Sequence, residues 1–176
     1  MKSTCIVLGL LLGNLTAYAA DNDDHEKGEA AEGARNAPAL AAALKEAKIP
    51  LSRGLQVAEA EGKPISAKFE LEDGKLQLSV YTMKGDQFFE IVVDHQSGTI
   101  LKNEPITGGH DLAAAKDQAA GIAKAKRSLL QAVMKAEKAN PGYKTVGIAA
   151  ELEDGRAQAD LTLLKGTKSK QLDETL

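Results

Sequence analysis

The sequence predicts an α+β protein made of two repeated units, each a helix packed on an antiparallel meander of three to four strands. Three observations carry that expectation. The pentapeptide Glu70-Leu71-Glu72-Asp73-Gly74 returns 81 positions later as Glu151-Leu152-Glu153-Asp154-Gly155. A second turn recurs at the same spacing, as Lys84-Gly85 and Lys165-Gly166. Both copies are flanked by alternating apolar and polar residues. Self-similarity at a fixed spacing marks a duplicated supersecondary unit.

Asp-Gly between two alternating runs signals a tight hairpin, because a two-residue type I′ turn needs positive φ at both central positions. Folding about Asp73-Gly74 sets Leu71 opposite Leu76, Phe69 opposite Leu78 and Ala67 opposite Val80. One face is then apolar, as a half-buried sheet requires. In the second copy Val146, Ile148, Ala150 and Leu152 precede the turn, and Ala157, Ala159, Leu161 and Leu163 follow it. A loop at Lys84-Gly85 leads to a third strand, Asp86 to Asp94, with Phe89, Ile91 and Val93 opposite Val80, Leu78 and Leu76. Asp94 to Gly98 reads as a turn, and Thr99 to Lys102 as a short fourth strand.

The remaining segments follow in order. Residues 1–19 have the form of a bacterial Sec-type signal peptide: Lys2, an apolar core from Ile6 to Leu15, and Ala17-Tyr18-Ala19 as the cleavage site. Cleavage there removes Cys5, the only cysteine, so the mature chain has neither a disulfide nor a thiolate ligand. It also removes the one apolar run, leaving no membrane span. Residues 20–36 form a flexible acidic tail. The first unit spans 37–106. It opens on an Ala-rich helix capped by Asn36, and a second helix from Arg53 to Glu61 capped by Ser52 places Leu55 and Ala58 on one face. Residues 107–127 are a linker helix with Asp111 as its N-cap, and Leu112, Ala115, Ala119 and Ile122 form its apolar stripe. Either Gly121 or Ser128 divides it from the helix that opens the second unit, 128–176. The third strand there, from Lys168, is poor in apolar residues, so it frays or is an edge protected by lysines. Two edge-joined sheets and two separate lobes satisfy the pattern equally.

Little in the chain resembles catalytic machinery. The formal charge of −3 becomes −4 once Lys2 is removed, and aromatics make up 3% of residues, so no basic, aromatic-studded surface exists for nucleic acid. His25, His95 and His110 have no partner at metal-ligating spacing, and no cofactor or metal site is expected. His95 beside Asp94 is read as part of a turn. Glu70, Glu72, Asp73 and Glu90, echoed by Glu151, Glu153 and Asp154, are interspersed with lysines and read as a solvated mixed-charge surface. The meander face away from the helix carries Tyr81 opposite Phe88, with Met83 and Val92 beside them. These four are the candidate partner-contact residues, since exposed aromatics and methionine typify contact anchors.

Residues 128–142, the strand after them and Glu151 to Gly155 together resemble a PepSY domain. So does Leu51 to Gly98, which ends in Ile91-Val92-Val93-Asp94 and Ser97-Gly98-Thr99-Ile100. The closing strand followed by Asp-x-x-x-Gly is the most specific element, and the second copy lacks it, so that copy is truncated by the family's standard. The resemblance implies a periplasmic or secreted, non-enzymatic protein- or peptide-binding module, including inhibition or regulation of an extracytoplasmic peptidase in trans. The alternative is a structural or ligand-sensing component of the cell envelope with no peptidase target. The family motif marks structure and assigns no functional residue.

Overall fold

The computed structural model describes residues 38–176. The signal peptide, the acidic tail with His25, and the Asn36 cap lie outside the described residues. Residues 38–43 are helical (α1), and α2 spans Leu51–Ala58. Four strands follow: β1 (Lys63–Glu72), β2 (Lys75–Lys84), β3 (Gln87–Val93) and β4 (Ile100–Ile106). Helices α3 (Gly109–Lys124) and α4 (Leu129–Ala139) then lead into β5 (Lys144–Glu153), β6 (Arg156–Lys165) and β7 (Lys168–Thr175). All seven strands form one antiparallel sheet in the order β4-β3-β2-β1-β5-β6-β7. The protein is therefore α+β, with four helices on a seven-stranded sheet among the described residues.

The Asp-Gly turns form as their chemistry requires. Asp73 and Gly74 have φ of 50° and 74°, and Asp154 and Gly155 have 49° and 75°. The pairings Leu71↔Leu76, Phe69↔Leu78 and Ala67↔Val80 are those the sequence predicts. The next hairpin differs by one step. Lys84 pairs with Gln87, so Gly85 (φ 61°) and Asp86 form the loop, not Lys84 and Gly85. A positive φ at the first loop position is the type II′ requirement, and glycine meets it. Ile91 therefore faces Val80, Val93 faces Leu78 and Phe89 faces Thr82. The shift is two positions along the partner strand, so the inward face is preserved.

Residues 81 apart occupy matching places in the two meanders. Ile65 is skipped in the β1–β2 register and Val146 in the β5–β6 register, so the same bulge recurs. The meanders join edge to edge through three pairs: Ser66↔Ala149, Ala67↔Ile148 and Lys68↔Gly147. Ala67 thus meets its own counterpart, and a local pseudo-dyad runs through that pair. Two such sheets can share a seam because each first strand is otherwise an open edge.

Helices cover both faces of the sheet. α2 and α4 lie on one face and touch each other. Leu51, Leu55 and Ala58 on α2, and Leu129, Val133 and Ala136 on α4, are buried against Leu78, Val80, Ile91 and Leu161. Full burial of each large side chain contributes about 1.5–3 kcal/mol. α3 crosses the opposite face over β5, β6 and β1, where the Ser66 hydroxyl donates to Gln118 (2.8 Å). Its own Ala115 and Ile122 are buried against the sheet.

Several boundaries correct the sequence reading. α2 begins at Leu51 after Pro50, with no side-chain cap from Ser52, because fully buried Leu51 is part of its apolar face. α3 begins after Gly108, which puts Asp111 in its first turn and not at its cap. The helix runs through Gly121 and stops at Lys124, so Ser128 marks the break. There the Ser128 hydroxyl accepts from the Gln131 backbone (3.3 Å), and the Gln131 side chain accepts from the Ser128 backbone (3.0 Å). This reciprocal cap satisfies two otherwise orphaned donors. Ser128→Ala is expected to cost about 1 kcal/mol in a urea titration, and an unchanged midpoint would assign the cap no weight. β4 extends to Ile106, well past the predicted Lys102, and β7 is paired along its whole length as an exposed edge.

Candidate functional site

The four residues expected to form an exposed contact patch are not exposed together. Tyr81, Phe88 and Val92 are 8%, 7% and 7% accessible, and Met83 is half-buried. Tyr81 faces Glu90 and Phe88 faces Met83, as the shifted hairpin dictates. The expectation assumed one helical layer, whereas this sheet has helix on both faces. Tyr81 lies on the α3 side, and both it and Phe88 belong to the hydrophobic core. Truncating them removes core packing and not a free surface.

Asp94 and His95 take the structural role expected of a turn. The Asp94 carboxylate accepts the backbone N–H groups of Gln96 (2.7 Å) and Ser97 (3.0 Å). Those bonds hold its carboxyl below the ordinary carboxylate range. The His95 carbonyl accepts from the Lys48 (2.9 Å) and Ile49 (3.1 Å) backbones, tying the turn to the chain entering α2. The closing Asp-x-x-x-Gly motif therefore fastens helix to meander. His110 lies at the exposed start of α3. Among the described residues, no three His, Cys, Asp or Glu side chains are placed to hold a metal ion.

The acidic group divides into two different environments at repeat-equivalent places. In the first half Glu70 is balanced: Lys68 pairs with it at 2.7 Å and the Ser79 hydroxyl donates to it at 2.9 Å. Gln77 in turn donates to Ser79 (2.9 Å). Counting 81 residues on, Glu70 becomes Glu151, Lys68 becomes Ala149 and Ser79 becomes Asp160. The cation is gone and a second acid replaces the hydroxyl. Asp160 also lies directly opposite Asp173 of β7. Desolvation first, then hydrogen bonding to and repulsion from Glu151 and Asp173, push the Asp160 carboxyl up to about 8. Near neutral pH it holds a proton that an ordinary aspartate would have lost.

Lys68, Glu151 and Asp160 border a recess of about 60 Å³ at the seam between the meanders, under α3. Its floor carries Ser66, Lys68, Tyr81, Glu151, Asp160 and Thr162, and its roof Asp111 and Gln118. Gly147 and Ala149 below, with Ala114 and Ala115 above, leave the space open. Asp111 Oδ1 is buried there with no hydrogen-bond partner among the described residues. Burial raises that carboxyl, against the lowering influence of Lys68 and His110. Lys68 lies 5.7 Å from the Tyr81 ring centroid, and the Tyr81 hydroxyl contacts Glu90 at 3.5 Å.

The recess is far below the size of a cavity for a typical organic ligand. It admits a few waters or the head group of one side chain. Since Lys68 is engaged by Glu70, the groups Asp111, Glu151 and Asp160 leave an excess of potential negative charge. A larger cleft of about 350 Å³ lies where α2, α4 and the start of β1 meet, lined by Leu55, Pro64, Ile122 and Leu129. Its polar rim does not converge, because Lys63 turns to the Ile122 carbonyl (3.4 Å). Asp111 was read from sequence only as a helix cap and Asp160 not at all. The substitutions Ser79 to Asp160 and Lys68 to Ala149 between the repeats are the signal that could have found the pair.

No family model matches this sequence, and no curated protein matches it. A candidate lipoprotein from Clostridium difficile 630 shares 11% identity over 73% of this chain and 95% of its own length, with a TM-score of 0.39. At that TM-score the likeness carries no argument about activity or partner.

Proposed function

We propose that the chain is an extracytoplasmic, non-enzymatic binding module of the PepSY type, and that the recess under α3 receives a cationic group of its protein or peptide partner. The N-terminal sequence supports the location, through its charged start, short apolar core and small-residue cleavage site. No helix among the described residues is long and apolar enough to cross a membrane. The family reading is supported by two meanders of matching register and by the Asp94-to-Gly98 turn that fastens α2. An extracytoplasmic peptidase presenting a lysine or arginine is the sharper form of the partner.

One observation carries the cationic preference. The first half balances Glu70 with Lys68, whereas the repeat-equivalent place in the second half sets Glu151 beside Asp160 with no counter-charge from that position. An ammonium or guanidinium entering the recess would supply it and displace a proton. The test is calorimetric titration of the mature protein with short lysine- and arginine-bearing peptides, against norleucine and citrulline controls. Charged peptides are expected to bind with proton release, and Asp111→Asn with Asp160→Asn to weaken binding about tenfold or more. Equal binding of charged and neutral peptides, or no change in a folded double variant, would remove the recess from the proposal.

A further inference from the structure

We infer that β7 is a self-association edge, on which β7 of a second copy of this chain pairs antiparallel to extend the sheet. Among the described residues no strand occupies its outer side. The strand has eight residues in unbroken register with β6, without bulge or proline. Lys165 and Lys168 flank a two-residue loop and form a hydrogen-bonded pair, so alternate residues from Lys168 onward bond to β6. The backbone N–H and C=O groups of Ser169, Gln171 and Asp173 therefore point outward together with the Thr175 N–H, while the Thr175 carbonyl accepts from the Arg127 side chain (3.3 Å). Such a row is satisfied by an extended backbone and by little else.

The side chains select which backbone. Lys170, Leu172 and Glu174 share the α4 face, as the pairing Leu172↔Leu161 shows. When two β7 strands pair with Ser169 opposite Thr175 and Gln171 opposite Asp173, Leu172 faces Leu172 across a two-fold axis. Lys170 then faces Glu174 twice. Sliding by two residues sets Leu172 against Lys170 or Glu174, so one register is favoured by charge and packing together. Glu174 also meets Lys135, and Lys170 donates to Asn140 (2.6 Å), so both side chains are already held on the pairing face. The seam between β1 and β5 uses the same device within the chain, an antiparallel join about a residue that meets its counterpart.

Assembly stops at two copies. Pairing by β7 is isologous and closes on itself. The opposite edge, β4, has Leu101 as an extra residue against β3 and carries Pro105, features that disfavour a further strand.

Sedimentation equilibrium of the full mature chain over a wide concentration range tests the inference. A reversible dimer is expected. Lys170→Glu and Glu174→Lys should each raise its dissociation constant roughly tenfold, because like charges then face each other twice. An equimolar mixture of the two variants should recover the dimer, since each then offers the other an opposite charge. Leu172→Cys provides a second reading in a mature chain with no other thiol: closely facing, non-hydrogen-bonded positions suit a disulfide. Rapid formation of a covalent dimer is expected, against none for Lys102→Cys on β4. Gln171→Pro, which removes an outward donor but no bond to β6, should leave the circular dichroism intact and abolish the dimer. A wild-type chain that stays monomeric throughout, or folded charge variants whose mixture does not recover association, would overturn it.

Discussion

Gly121→Ala should lower the stability of this protein, although the same change in an exposed helix raises it by about 1 kcal/mol. α3 crosses the sheet so closely at this point that a Cβ on residue 121 would lie 2.5 Å from the Glu151 carbonyl oxygen and 2.7 Å from its carbon. The obstacle is strand backbone, which cannot turn aside as the end of a flexible side chain can. Either α3 lifts or β5 bends. Overpacking of this kind costs typically 1–3 kcal/mol and occasionally more. Against a helix-propensity gain of about 1 kcal/mol, the middle of that range leaves a net loss of about 1 kcal/mol. For a domain of this size that lowers the melting midpoint by several degrees. A midpoint equal to or above that of the wild type would show that α3 is not pressed on the sheet at this point. The same displacement would open the recess that α3 roofs, so weaker binding of a cationic peptide should accompany the lower midpoint.

How far the sequence reveals this fold depends on how local each determinant is. The Asp73-Gly74 and Asp154-Gly155 turns are legible because two adjacent residues dictate the backbone and the alternation beside them dictates the inward face. Ser128 was one of two readable breaks, and only packing excluded the other: Gly121 is glycine for the sake of Glu151 and not to end a helix. The Gly85 loop was displaced by one residue because Lys84-Gly85 and Gly85-Asp86 are both plausible turn pairs. That small displacement set Tyr81 and Phe88 opposite each other when they are not. The join between the meanders has no local signature at all. Three pairs centred on Ala67 and its counterpart Ile148 hold it, and Ser66 to Lys68 read like any other strand. The burial of Tyr81 follows from α3 returning over the second face, which no periodicity within the strands announces.

Asp160→Asn is expected to stabilise the protein above neutral pH and to flatten its pH dependence. The sign follows from where the proton resides. Folded, the Asp160 carboxyl titrates at about 8, against 3.8 for an ordinary aspartate. Between those values the folded chain holds a proton that the unfolded chain has released, so stability falls as pH rises through this window. Below it both states are protonated and the site is neutral in effect. Above it the full cost of three neighbouring carboxylates remains. A shift of that size corresponds to about 6 kcal/mol in a fully buried site. Asp160 is only partly buried and solvent screens its neighbours, so about 1–2 kcal/mol is expected. Asparagine keeps the shape, can donate to Glu151 and does not titrate. Urea unfolding of both proteins from pH 5 to pH 9 makes the comparison. The wild type should lose stability relative to the variant as pH rises, with most of the difference accrued by pH 8. Asp111, which burial also raises, is common to both proteins and cancels in that comparison. Parallel curves would mean that Asp160 ionises freely beside Glu151 and Asp173, and the cationic preference of the recess would lose its physical basis. A widening gap would mean instead that the second repeat carries a standing electrostatic cost at neutral pH, one that a bound cation could relieve.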